Sequence, residues 1–215
     1  KTGRRILARR LGKKTRAIHR RFSGVYAPYS KKWRWSSSLT TVSAPETLLL
    51  PTRWLLKKHA AVAAEFRSLE TLLARASFEG MAPLRFLELA LTLDQYVEKT
   101  AFRFSEETLS STLNDWQEEQ GLFLSLAETE SISLLLRLLA LDKLSAVAVR
   151  LSETEQARAR ATEVFLQYGA DRARHAPIVR DIEKKFDAEY RDSFLLSLEE
   201  HILAESLPKT RLREH

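Results

Sequence analysis

No Asp or Glu occurs before Glu46, whereas the same 45 residues hold 13 Lys and Arg. The cations are Lys1, Arg4, Arg5, Arg9, Arg10, Lys13, Lys14, Arg16, Arg20, Arg21, Lys31, Lys32 and Arg34. A segment of that charge repels itself and does not fold alone, so it needs a polyanion or an acidic surface to order it. The rest of the chain carries 22 basic residues against 28 acidic ones, a net charge of −6. Nucleic acid is repelled by such a body, which assigns any phosphate contact to the basic arm.

Within the arm, residues 4–22 lack Pro and place Leu7, Leu11, Ile18 and Phe22 on one helical face, with Arg and Lys over the remainder. This spacing predicts a basic amphipathic helix that stops at Gly24. From Val25 to Pro45 the periodicity vanishes. Tyr26, Tyr29, Trp33 and Trp35 interleave with Lys31, Lys32 and Arg34 ahead of a polar tract, Ser36 to Ser43, and the stretch reads as an extended tether.

Beyond residue 45 the chain is punctuated as helices are. Pro51 and Thr52 precede a periodic stretch through Ala76 that Gly80 stops, and Pro83 opens a second apolar-rich helix through Tyr96. Ser105, followed by Glu106 and Glu107, starts a third helix that ends at Gly121, its acids favourably placed at the positive end of the helix dipole. Residues 129–141 form a Leu-rich helix, and Asp142 is expected to cap a short continuation to Leu151. Ser152 with Glu155 three residues later matches a capping box, predicting another helix over 153–168 closed by Gly169. Pro177 then opens a last helix carrying Ile178, Ile182, Phe186, Phe194, Leu198 and Ile202, with Pro208 past its end.

Period-2 alternation bounded by hairpin turns is missing. The expected fold is all-α, an irregular helical bundle or short α-hairpin stack with a basic N-terminal extension. It divides into an arm at 1–45 (helix plus aromatic-basic tether), a helical body at 46–208 and a polar tail at 209–215.

Chemistry-bearing motifs are sparse. Gly3 and the Gly12-Lys13 pair stand eight residues apart instead of the four a phosphate-binding loop requires. The histidines His19, His59, His175, His201 and His215 make no ligand spacing, although His201 lies beside Glu199 and Glu200 on what reads as a solvated last turn. The pairs Glu106-Glu107, Glu118-Glu119 and Glu199-Glu200 read as exposed helix faces, and the chain has no Cys. No catalytic residue, metal site or cofactor is expected, and the protein reads as a non-enzyme. The most apolar run, Leu134 to Leu141, is interrupted by Arg137 and falls far short of the roughly 20 residues a membrane span needs, so none is expected.

The arm carries the functional signal. Lys and Arg neutralise phosphates, and aromatic rings give bases a surface to stack on. The expected RNA-binding residues are Arg4, Arg5, Arg9, Arg10, Lys13, Lys14, Arg16, Arg20, Arg21, Tyr26, Tyr29, Lys31, Lys32, Trp33, Arg34 and Trp35. The alternative polyanions are anionic lipid and acidic protein subunits.

An Arg-rich, acid-free segment followed by Ser and Thr also has the composition of a mitochondrial targeting segment. The chain opens on Lys1 and its one Met is Met81, so an upstream start or a processed leader is expected. The charge split is similar in kind to that of accessory mitochondrial ribosomal proteins, which couple basic extensions to helical bodies. The resulting expectation is a structural subunit of a large ribonucleoprotein hetero-complex in the mitochondrial matrix. Its arm contacts rRNA through residues 1–35 and its body docks on other protein subunits. The rival expectation is an accessory subunit of a respiratory or ATP-synthase complex.

Overall fold

The computed structural model describes residues 2–35, 48–76, 82–101 and 103–206. The expected polar tail and the end of the tether, residues 36–45, lie outside the described residues. Among those described are seven helices and no strand: α1 (Thr2–Trp35), α2 (Leu50–Arg75), α3 (Pro83–Lys99), α4 (Glu106–Gln120), α5 (Leu126–Tyr168), α6 (Arg172–Lys185) and α7 (Ala188–Ser206). The fold is all-α.

The chain gathers into two compact units, one from the described residues of 1–30 and 57–147, the other from those of 31–56 and 148–215. In the first, Phe66, Leu69 and Leu73 of α2 and Phe86, Leu89, Leu93 and Val97 of α3 are buried, as are Leu135, Leu138 and Leu141 of α5. These residues recur every three or four positions, the spacing that keeps one helical face on a common core. Trp116 of α4 is buried in the same unit, as are Ile18 and Phe22 of α1. In the second, Ala157, Ala161 and Val164 of α5 meet Ile182 of α6 and Phe194 and Leu198 of α7.

Several helix ends follow their local chemistry. The Ser105 side chain accepts the Thr108 N–H at 3.2 Å to cap α4, and Gly121 ends that helix in the left-handed conformation, φ 63°. Asp171 caps α6 by accepting from the Ala173 N–H at 3.1 Å. A reciprocal capping box opens α5: the Glu128 N–H donates to Ser125 Oγ at 3.3 Å, and the Ser125 N–H donates to Glu128 Oε2 at 2.8 Å.

Four expected boundaries are corrected. α1 does not stop at Gly24 but continues as helix to Trp35, so the first part of the expected tether, from Val25, is helical. An unstrained Gly costs a helix only about 1 kcal/mol, and a helix already held by its neighbours propagates through that defect. Pro28 removes the hydrogen bond to the Gly24 carbonyl and its ring crowds that carbonyl, but it does so at the residue with the most pliable backbone.

α5 is likewise one helix of 43 residues through Asp142 and Ser152. Of the groups expected to mark breaks there, Ser152 accepts from Gln156 of its own helix at 3.2 Å, and Asp142 and Glu155 serve tertiary contacts. Asp142 pairs with Lys14 and Arg21 of α1, and the Glu155 carboxylate accepts the Leu49 N–H at 2.8 Å, just ahead of α2. The terminal helix, expected to begin at Pro177, starts at Arg172 with Pro177 inside it. It then divides: Phe186 is extended, and Asp187 accepts the Tyr190 N–H at 2.9 Å to start α7.

Candidate nucleic-acid interface

Seen from the backbone, α1 sorts its residues by period. Each residue advances about 100° around a helix, so positions 15, 18 and 22 form one line, and Arg9, Lys13, Arg16 and Arg20 fall within about 60° of each other, roughly opposite it. Side-chain burial agrees: Thr15, Ile18 and Phe22 are buried, while Arg9, Lys13, Arg16 and Arg20 are exposed. The Thr15 hydroxyl is satisfied within the helix by donating to the Leu11 carbonyl at 2.9 Å.

The buried side of α1 meets its own body through rings and acids. His19 stacks on Phe66 with centroids 4.8 Å apart, and its Nδ1 lies 3.4 Å from Glu70 Oε1. Phe22 stacks on His59 at 5.5 Å. Burial, and then the neighbouring His19, hold the His59 imidazole below its ordinary 6.5.

Two flanking cations reach α5. Arg21 donates to Asp142 Oδ1 at 2.7 Å and through Nε to Ser145 Oγ at 3.1 Å, while Lys14 Nζ lies 3.4 Å from Asp142 Oδ2. Such part-exposed pairs contribute about 0–1 kcal/mol each, whereas truncating a fully buried Phe such as Phe22 to Ala costs about 3–5 kcal/mol. Apolar burial both holds α1 in place and decides which face it turns outward, and the ion pairs add little to that.

The sixteen expected RNA-binding residues therefore divide. Lys14 and Arg21 are tied to Asp142. Arg9, Arg10, Lys13, Arg16 and Arg20 stand exposed, with no ion pair to any described residue. The side chains of Arg4, Arg5, Tyr26, Tyr29, Lys31, Lys32, Trp33, Arg34 and Trp35 lie outside the described ones. Their backbone positions are helical, and that changes the pattern read as interleaving: positions 26, 29 and 33 fall in register with the line of Ile18 and Phe22, and positions 31 and 34 with the row of Arg9 and Lys13.

Elsewhere, sequence reasoning missed the polar centre of the first unit. Arg85 of α3 donates through Nε to Glu128 Oε1 at 2.7 Å and through its terminal nitrogen to the Phe123 carbonyl at 3.0 Å, and its guanidinium lies 5.1 Å from the Trp116 ring centroid. Burial raises the Glu128 pKa, but the Ser125 N–H, Arg85 and the Ser125 hydroxyl outweigh it, leaving the carboxyl below its ordinary 4.5. The signal was present in the sequence, because Ser125 and Glu128 have capping-box spacing.

His201 was expected on a solvated turn, yet it is half-buried. Its Nδ1 lies 2.6 Å from the Ser197 carbonyl, its Nε2 lies 3.3 Å from Thr162 Oγ1, and its ring tilts against Phe165. No group of three potential metal ligands occurs among the described residues.

On the outer side of α3, Leu84, Leu87 and Leu91 are 69%, 54% and 54% exposed and share one face at i, i+3 and i+7. No described helix is long and apolar enough to cross a membrane. No protein-family model, curated protein or solved structure matches this chain.

Proposed function

We propose that this protein is a non-catalytic structural subunit of a large ribonucleoprotein, an accessory protein of the mitochondrial ribosome in the matrix, that lays the outer face of α1 on rRNA. The observation that carries the reading is the row Arg9, Lys13, Arg16 and Arg20, four exposed cations on one face of a docked helix with no acid of the described chain to neutralise them. Cations so presented release counterions from a phosphate backbone. The exposed Leu84, Leu87 and Leu91 give the body an apolar face suited to a protein neighbour. The matrix location rests on the targeting-like composition of the first 45 residues.

The rival is an accessory subunit of a respiratory or ATP-synthase complex that contacts anionic lipid or acidic subunits, and the burial of Ile18 and Phe22 disfavours its lipid form. An amphipathic helix inserts its apolar face into a bilayer, and here that face is occupied by the protein's own core.

The test compares two charge-matched variants of the full chain. Arg16→Gln with Arg20→Gln removes two row cations, and Lys14→Gln with Arg21→Gln removes two that are already paired with Asp142. On RNA the first pair is expected to weaken binding by at least tenfold more than the second. Equal losses contradict the reading, and tighter binding to cardiolipin vesicles than to RNA favours the rival.

A further inference from the structure

The outer face of α1 also bears on which form of RNA it meets, an inference that rests on the RNA reading above. Single strands are held by a basic track with aromatic rings on which splayed bases stack. Duplexes are held through phosphates along a regular track, because the deep, narrow major groove of A-form RNA hides its bases.

The exposed residues of α1 between 9 and 20 are Arg9, Arg10, Lys13, Lys14, Arg16, Ala17 and Arg20, of which Lys14 pairs with Asp142, and none is aromatic. The aromatic positions 26, 29 and 33 share the register of the buried line, opposite the row, and position 35 lies about four turns beyond Arg20 at the row's edge. Between residues 9 and 20 the outer face therefore offers phosphate-type positions and no stacking-type one. The row is also rigid. Its reverse side is buried through Ile18 and Phe22, so the backbone positions of the four cations are fixed relative to one another and span roughly 16 Å along one track.

We infer that α1 binds double-stranded RNA, through phosphates alone and without reading base sequence. The face is one-sided, since Thr15, Ile18 and Phe22 on the opposite side are buried, so the helix lies along the phosphates rather than entering a groove.

The experiment measures fluorescence anisotropy of the full chain with a labelled RNA duplex of about 20 base pairs, longer than the roughly 16 that a dedicated duplex-binding domain spans, and with an unstructured strand of equal length. The duplex is expected to bind at least tenfold more tightly, and a second duplex of unrelated sequence within twofold of the first. Four phosphate contacts predict a loss of about 150-fold in duplex affinity between 50 and 200 mM salt. The variant carrying Arg9→Gln, Lys13→Gln, Arg16→Gln and Arg20→Gln is expected to lose this binding, with circular dichroism checking that its helix content is unchanged.

Single strands bound as tightly as the duplex, with both weakened by the four substitutions, overturn duplex selectivity and leave the RNA reading standing. Failure of the full chain to bind either RNA overturns both.

Discussion

Two ionisable side chains make the energetics of single residues measurable. Glu128 is only 4% exposed in its side chain and is held by Arg85 and by the start of α5. Replacing it with Gln keeps the cap but leaves Arg85 facing a neutral amide, and urea unfolding at pH 7 is expected to show a loss of about 2–3 kcal/mol. Because its folded pKa is lowered, its contribution is present above about pH 4.5 and disappears as pH falls through the folded value. Wild-type and Glu128→Gln stabilities should therefore converge in acid, and a constant gap between them contradicts this account.

His59 has the same sign with a base. Its lowered pKa means that the unfolded chain takes up the proton first, so stability is full above pH 6.5 and falls as pH drops below it. His59→Phe, which keeps a ring against Phe22, is expected to flatten the fall in Tm between pH 7 and pH 5. An unchanged slope counts against the assignment.

At the scale of elements, the decisive question is how a helix passes a residue that commonly ends one. Gly24 has open space where a Cβ would be and helical backbone on both sides. Gly24→Ala is therefore expected to raise stability by about 0.5–1 kcal/mol in urea titration. A glycine terminating α1 in the left-handed conformation would instead give a loss.

The same question arises in α5, where Asp142 and Ser152 resemble caps in sequence. A capping residue competes with the helix only while its side chain is free to fold back. Asp142 is drawn to Arg21 and Lys14, and Glu155 to Leu49. Asp171 pairs only with Arg174 of its own first turn, at 3.1 Å, and it and Asp187 each keep an oxygen for a backbone N–H and do start helices.

For the whole molecule, the charge split has a consequence beyond partner choice. The basic segment was expected to be an arm over residues 1–45, yet Ile18 and Phe22 are core residues of the first unit and Asp142 of the body pairs with its Lys14 and Arg21. Deleting residues 1–25 is therefore expected to expose Phe66 and its neighbours and to lower Tm by 10 °C or more, roughly what the loss of two large buried side chains implies. A truncated protein as stable as the full chain, measured by thermal unfolding, contradicts a structural role for α1. Point variants on the row are the proper probe of binding for the same reason.

Local physics sufficed for much of this architecture. Helical periodicity and the absence of strand signals gave the all-α class. Ser105, Gly121 and Pro83 mark their helix boundaries correctly because capping, left-handed glycine and proline act within one turn of chain. The row of Arg9, Lys13, Arg16 and Arg20 was among the expected binding residues, although as part of an undivided basic segment.

Only the tertiary structure decided which cations are paired within the chain, that α1 runs on through Gly24, and that Asp142 and Glu155 reach across to other segments instead of capping their own. The pairings depend on groups more than a hundred residues apart, Arg21 with Asp142 and Leu49 with Glu155, and no local pattern encodes that proximity. The first 45 residues remain the most basic stretch of the chain, but what their charge can touch is set by the face that hydrophobic burial leaves outside.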